Sequence, residues 1–148
     1  MSTREHYLAF AQGSNNRDLS ALPKAINTSF QSSFEVPVPE GADDVTCSFV
    51  LSSVSGASVV LMKVEGTPDG SMWVPVKSLT NEVINGDEVE YDLLTAVYKT
   101  INAANGLGGA PSYRISTMEK VRVFFKTDAG TAEIKAIFSF KRRSRYVY

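Results

Sequence analysis

Few side chains in the sequence could catalyse a reaction. A Ser-His-Asp or Cys-His site would have to use the single histidine, His6, which lies in a stretch without a regular hydrophobic period. The single cysteine, Cys47, lies in an alternating apolar segment, which predicts a small buried residue and not a nucleophile. The carboxylate pairs Asp43-Asp44 and Asp87-Glu88 fall at predicted turns and helix starts, where such groups usually accept backbone hydrogen bonds or face solvent. We therefore expect no catalytic residues and predict that the protein is not an enzyme.

Spacings typical of metal and cofactor sites do not occur in the sequence. It contains no His-x-x-x-His, no Cys-x-x-Cys and no EF-hand loop. The run Gly106-Leu-Gly-Gly109 is not followed by the Lys-Ser/Thr of a phosphate-binding loop, and no dinucleotide fingerprint surrounds it. We predict neither a cofactor nor a metal ion, and we interpret this run as a flexible connection.

Two features could bind a partner. Trp73, the only tryptophan, alternates with Met72 and Val74, so it could anchor an interface or the sandwich, or stack on a sugar. The C-terminal tail, residues 141–148, interleaves aromatic residues with bases, among them Arg142, Arg143 and Arg145. It could bind phosphates, an acidic protein surface or only water, and we favour protein contacts. Residues 82–92 hold five acids and no base, which suggests head-to-tail contacts between identical subunits.

Composition limits the class of protein. The chain has 148 residues, 43% of them hydrophobic and 21% charged, which suits one folded domain. Its net charge of −1 makes nucleic acid an unexpected partner. No apolar stretch of about 18 residues is present, so no membrane span is expected. The N-terminus does not resemble a secretory signal, which predicts synthesis and folding in a cytoplasm.

Three regions are predicted along the chain. Residues 1–29 show no persistent period but carry isolated large apolar residues, and we interpret them as an extended arm that grips a neighbouring subunit. Its expected anchors are Tyr7, Leu8, Phe10, Leu19 and Leu22. Residues 30–140 form the predicted β domain, and residues 141–148 form the basic tail.

Alternating apolar and polar residues predict the strands of the domain. The predicted strands are 30–38, 45–52, 59–65, 72–76, 113–116, 120–126 and 131–140. Residues 87–102 are ambiguous. Val89, Leu93, Val97 and Ile101 recur every four residues, which favours a short helix, whereas the alternative is a strand near Val89–Leu93 followed by a long loop. Turns, not repeated helices, connect these strands. The sequence thus predicts a mostly-β fold, an antiparallel β-sandwich or jelly roll of about seven or eight strands.

The hairpin Lys63–Val76, with its Asp-Gly turn and Trp73, followed by Ser112–Ser116 and Lys120–Phe124, resembles small β-sandwich virion proteins of tailed bacteriophages. The resemblance covers residues 60–140 and also extends to discoidin-like carbohydrate-binding modules. It implies a structural virion protein, a capsid decoration or cement subunit that binds the major capsid protein or other virion subunits through its arm and strand edges. A homo-oligomer is expected. The alternatives are a neck or tail subunit and a jelly-roll carbohydrate-binding module for host attachment.

Overall fold

The computed structural model describes residues 5–31, 34–76, 89–92 and 96–142, with the backbone alone for 89–92 and 96–100. These residues form strands and connections, and no helix that could cross a bilayer occurs among them. The strands are β1 (Glu5–Phe10), β2 (Lys24–Ile26), β3 (Val36–Pro37), β4 (Asp44–Ser55), β5 (Val59–Thr67), β6 (Val74–Val76), β7 (Val89–Asp92), β8 (Ala96–Asn102), β9 (Gly108–Gly109), β10 (Ser112–Arg114), β11 (Lys120–Thr127) and β12 (Thr131–Lys141).

Two antiparallel sheets pack against each other, which confirms the predicted mostly-β sandwich. In sheet A the order is β1-β12-β4-β10, with β2 also on β12 and β9 also on β4. In sheet B the order is β3-β11-β5-β8-β7, with β6 also on β5. The sandwich therefore has long central strands (β4 and β12, β5 and β11) and shorter strands along its edges.

Alternation in the four central strands builds the core. Along β5, β11 and β12 every second side chain is buried and the intervening ones are partly buried, except at the last residue of β5 and at both ends of β12. The inward rows meet between the sheets, where Phe125 of β11 packs against Phe10 and Phe49 with ring centroids 5.2 and 5.9 Å apart. Cys47 is fully buried among them, as its alternating segment predicts.

The helix favoured for 87–102 is wrong for the residues described. Residues 89–92 and 96–102 are the antiparallel strands β7 and β8. The alternative prediction is right about a strand near Val89–Leu93, but β8 lies where it placed a long loop. The reason lies in the pattern, because a spacing of four is a multiple of the strand period of two as well as close to one helical turn. The β-branched and aromatic residues Val97, Tyr98, Thr100 and Ile101 favour a strand.

Two parts of the predicted N-terminal arm are strands of sheet A, and the loop between them is mostly exposed. β1 pairs with β12 and β2 pairs with the same strand further along. Tyr7, Leu8 and Phe10 are 9%, 0% and 0% exposed. A register shift between Leu8 and Phe10 breaks the alternation of β1, and this explains why the sequence shows no period there.

The strand predicted for 30–38 is also shorter than expected. Among the described residues of this stretch, 30–31 and 34–38, Val36 and Pro37 form strand β3 and Gln31 adds one isolated bridge to Phe125 of β11. Because Pro37 lacks an N–H group, it is tolerated on this edge of sheet B. The first long strand of the domain is therefore β4.

Two connections between the sheets meet at one end of the sandwich. The β4–β5 connection turns at Gly56 and the β11–β12 connection turns at Gly130, both with positive φ. A Cβ atom on Gly130 would overlap the Ser55 carbonyl oxygen, so the two backbones touch. Asp128 fixes this corner by accepting hydrogen bonds from the amides of Ser58 and Val59, at 2.9 and 3.1 Å. These bonds lower the pKa of Asp128 below its usual value, with the Val59 bond the largest cause.

Candidate functional site

The outer face of sheet B carries a cluster of basic and aromatic side chains, here called the cation–aromatic face. Alternation along β5 and β11 places basic side chains and one phenylalanine on the outward positions of both strands. The cluster consists of Lys63 and Glu65 of β5, Arg122, Phe124 and Lys126 of β11, and the loop residues Phe30 and Trp73.

Arg122 is the centre of the cation–aromatic face. Its Nε and Nη2 atoms donate hydrogen bonds to Glu65 Oε1 at 2.9 and 2.7 Å. Its guanidinium carbon lies 3.8 Å from the centroid of the Trp73 ring, so the cation stacks on the indole. The Arg122 and Glu65 side chains are 23% and 17% exposed, and a pair that is largely shielded from water is screened less than a surface pair.

The second half of the cation–aromatic face is built on phenylalanine rings. Phe30 meets Phe124 edge to face, with ring centroids 6.3 Å apart. The Lys63 and Lys126 ammonium groups lie 4.7 and 4.6 Å from the Phe30 centroid. Aromatic rings attract cations through their negative faces. The rings therefore hold two lysines on one surface, where an acidic partner would find positive charge over apolar area.

A hydrogen-bonded turn places Trp73 against the sheet. Asp69 Oδ1 accepts from the amides of Met72 and Ser71 at 2.7 and 2.9 Å. These bonds, with the one from Met72 the largest cause, lower the pKa of Asp69 to about 2. Because strand β6 begins only at Val74, Met72 lies outside the strand predicted for 72–76, and it is 56% exposed.

A groove of about 420 Å³ lies on the outer face of sheet A. Its lining residues are Ser48, Phe49, Val50, Gly106, Gly108, Gly109, Lys135 and Ile137. A Cβ atom on Gly108 would overlap the Phe49 carbonyl oxygen, so glycine lets β9 approach β4 this closely. Val50 is 54% exposed on the floor, which makes the groove a mostly apolar surface.

Residues of the predicted arm border this groove. Lys135 Nζ donates to the Leu19 carbonyl oxygen at 2.6 Å, and Leu19 and Leu22 are 40% and 66% exposed. The loop between β1 and β2, which carries both leucines, is also bonded to β1, because the Leu8 amide donates to the Asn16 carbonyl oxygen at 2.7 Å. Of the predicted arm anchors, only these two exposed leucines are therefore available to a partner in this structure, whereas Tyr7, Leu8 and Phe10 are buried.

A row of polar residues crosses the outer face of sheet A. His6, Ser139, Thr46 and Ser112 are consecutive cross-strand partners. His6 Nδ1 lies 2.8 Å from Ser139 Oγ, and Thr46 Oγ1 lies 2.8 Å from Ser112 Oγ. The structure thus brings the single histidine to a serine, but on an open face, and none of the described carboxylates forms an ion pair with it.

The remaining predicted binding residues lie in the C-terminal tail. Arg142 is exposed and its side chain lies beside Gly41, within 3.4 Å of the position of a Cβ on that residue. Arg143 and Arg145 lie outside the described residues. Among the described side chains, no three His, Cys, Asp or Glu residues come together as metal ligands would.

Sequence reasoning missed most of the cation–aromatic face. Trp73 is a predicted binding residue, but its neighbours Arg122 and Phe124 are predicted only as part of the strand 120–126. The available signal was Phe124, a large apolar residue at an outward position between two bases. An outward aromatic beside bases on an otherwise alternating strand indicates a contact surface.

Comparisons with protein-family models, with curated proteins and with solved structures gave no match.

Proposed function

We propose that this protein is a structural subunit of a tailed-phage virion, of the capsid decoration or cement type, which binds neighbouring subunits. The observation that supports the proposal is that the sandwich carries different contact surfaces on its two outer faces. Sheet B carries the cation–aromatic face and sheet A carries the apolar groove. A cement subunit must contact more than one neighbour, and two opposed surfaces suit that task.

The composition of the cation–aromatic face supports a protein partner. Trp and Arg are enriched among the residues that dominate binding energy in protein interfaces, particularly where the surroundings are shielded from water. Trp73 and Arg122 form such a pair. The alternative of sugar binding is less favoured, because the guanidinium of Arg122 already covers one face of the indole that a sugar would stack on.

The expected mode of attachment is not through a free N-terminal arm, as the sequence predicts. Phe10 packs against Phe125 in the core, so detaching β1 would expose buried apolar surface of the domain itself. Attachment through the two outer faces, Leu19 and Leu22 requires no such opening. Binding of this protein would then stabilise the assembled capsid, because the protein binds the assembled capsid and not its separated subunits.

The test is co-sedimentation of the purified protein with phage capsids that lack it. We expect saturable binding by the wild type, and at least about a tenfold loss of affinity for Trp73→Ala or Val50→Asp, as for central interface residues. Glu40→Gln, on the exposed turn before β4, is the matched control and should bind normally. Absence of binding by the folded wild type to capsids would contradict the decoration role.

A further inference from the structure

The bases of the cation–aromatic face outnumber the acids that pair with them. Arg122 lies 2.7 Å from Glu65 Oε1, and Lys63 lies 3.7 Å from the other oxygen of the same carboxylate. Lys126 is opposite Leu61 on β5, and none of the described carboxylates forms an ion pair with its ammonium group. One carboxylate therefore serves two bases while Lys126 has none, which leaves positive charge at the Lys63–Lys126 end of the face.

The ammonium groups of Lys63 and Lys126 share one aromatic ring. They lie 4.7 and 4.6 Å from the Phe30 centroid, so the two nitrogen atoms can be no further apart than the sum of these distances. Like charges this close repel each other, and a negative group beside them reduces the repulsion. This end of the face is therefore suited to an anionic group of a partner.

Cations already lie over the rings that a nucleic-acid base would use. The Arg122 guanidinium carbon is 3.8 Å from the Trp73 centroid and 4.9 Å from the Phe124 centroid. Single-stranded nucleic acid binds largely by stacking its bases on aromatic rings, and such a base would have to displace these cations. A carboxylate instead bonds to them directly, through charge-assisted hydrogen bonds of about 2.8 Å. The face therefore favours acidic protein side chains over nucleic acid.

The spacing of the outward residues along β11 matches an extended partner. Lys120, Arg122, Phe124 and Lys126 occupy alternate positions of the strand, and at about 6.8 Å per step they form a row about 20 Å long. Lys120, at the far end, is paired only at 3.9 Å with Glu35, whose side chain is 50% exposed. Alternate residues of an extended segment repeat at the same interval, so such a segment can place one acid over each end of the row.

We propose that the cation–aromatic face binds an acidic, extended segment of a partner protein, which lies along β11 with carboxylates on Lys63 and Lys126. The rings of Phe30 and Phe124 lie beside these lysines, so the new ion pairs form over apolar area and are screened less than pairs in open solvent. The inference rests on the proposed role of this face as a protein-contact surface, and it names the chemistry of the partner.

The test is fluorescence anisotropy of a labelled eight-residue peptide, in which glutamate alternates with threonine, titrated with the full-length protein at 50 mM salt. We expect saturable binding of this peptide and none of the same peptide with glutamine in place of glutamate. Lys126→Gln should weaken binding about threefold, and Lys63→Gln combined with Lys126→Gln at least about tenfold, because each pair contributes modestly. Arg114→Gln is the matched control and should bind as the wild type does, since it removes the same charge from a side chain that is 51% exposed on sheet A.

Two further measurements support or overturn the inference. Raising the salt to 500 mM should weaken binding, and transferred NOEs of the bound peptide should show the strong sequential Hα–HN contacts of an extended chain. A helical NOE pattern would overturn the inference. So would absence of peptide binding by the wild type, or unchanged binding by the variant that lacks both lysines while its thermal unfolding shows it to be folded.

The remaining outcomes separate this inference from its rival and from the proposed function. Tighter binding of a fluorescent oligothymidylate than of the peptide, weakened by the same two lysine substitutions, would overturn the inference in favour of nucleic acid. Capsid binding by a protein that does not bind the peptide would overturn the inference and leave the proposed function standing. Peptide binding without capsid binding would support the inference and contradict the decoration role.

Discussion

The guanidinium of Arg122 joins β11, β5 and the turn before β6, because it bonds Glu65 and stacks on Trp73 at the same time. Such planar, two-sided recognition suits arginine and not lysine, whose ammonium is a single point charge. The consequence is that Arg122 and Trp73 should stabilise the fold jointly as well as form a contact surface.

We expect Arg122→Ala to lower the free energy of unfolding by about 1–3 kcal/mol, because it leaves the mostly shielded Glu65 without its main partner. In a double-mutant cycle with Trp73→Ala, the coupling energy should be about 0.5–1 kcal/mol. Urea unfolding of the four proteins measures both quantities. A coupling energy near zero would show that the stacked geometry adds nothing to stability.

Asp69 should make stability depend on pH in the acid range. Its folded pKa, about 2, lies below the ordinary value of 3.8. The stabilisation of the folded protein by ionised Asp69 is therefore fully present above about pH 4, and it is lost as pH falls from about 4 to about 2. The measurement is the carboxyl ¹³C shift of Asp69 followed by NMR titration, and Asp69→Asn supplies the assignment. A midpoint near 4 would contradict the bonded turn.

At the scale of elements, β1 is an integral strand of sheet A. Phe10 and Leu22 were both expected to anchor an arm, yet one is fully buried and the other is 66% exposed. Phe10→Ala should therefore cost about 3–5 kcal/mol of stability, as buried phenylalanines do. Leu22→Ala is the matched control and should change stability by less than about 0.5 kcal/mol. Equal costs for the two substitutions would show that β1 is not docked in solution.

The corner where the sheets connect should tolerate no side chain at Gly130. Gly130→Ala brings both a positive-φ strain and an overlap with the Ser55 carbonyl, whereas Gly13→Ala meets positive φ alone, with open space around it. We expect the free energy of unfolding to fall by about 1 kcal/mol for Gly13→Ala and by at least about 2 kcal/mol for Gly130→Ala. Thermal unfolding compares them, and similar losses would show that the corner can open.

Strands that alternate cleanly could be predicted from the sequence, since β4, β5, β11 and β12 each bury one face. Three features prevented a fuller prediction. The four-residue spacing from Val89 to Ile101 fits a strand and a helix alike. Residues 7–11 are all buried, so no alternation marks β1. The cation–aromatic face joins Phe30, Trp73 and Arg122 from distant parts of the chain, and the tertiary fold alone brings them together.

At the scale of the whole molecule, Cys47 reports on opening of the sandwich. Burial raises the pKa of its thiol far above the usual range and removes it from solvent. We expect no reaction with a thiol reagent in the native state, and reaction at the global unfolding rate when modification outpaces refolding. Rapid modification without denaturant would contradict a closed core, and Cys47→Ala provides the blank.

The strand order of sheet A also bears on how the protein is made. β12 lies between β1 and β4 and pairs with both, yet it follows them in the chain by a long interval. While a ribosome is still synthesising residues 56–130, neither β1 nor β4 has its main partner. Such non-local pairing slows folding and leaves strand edges open. A nascent chain would therefore benefit from a chaperone until residue 141 has emerged, and truncation before β12 should leave an insoluble product.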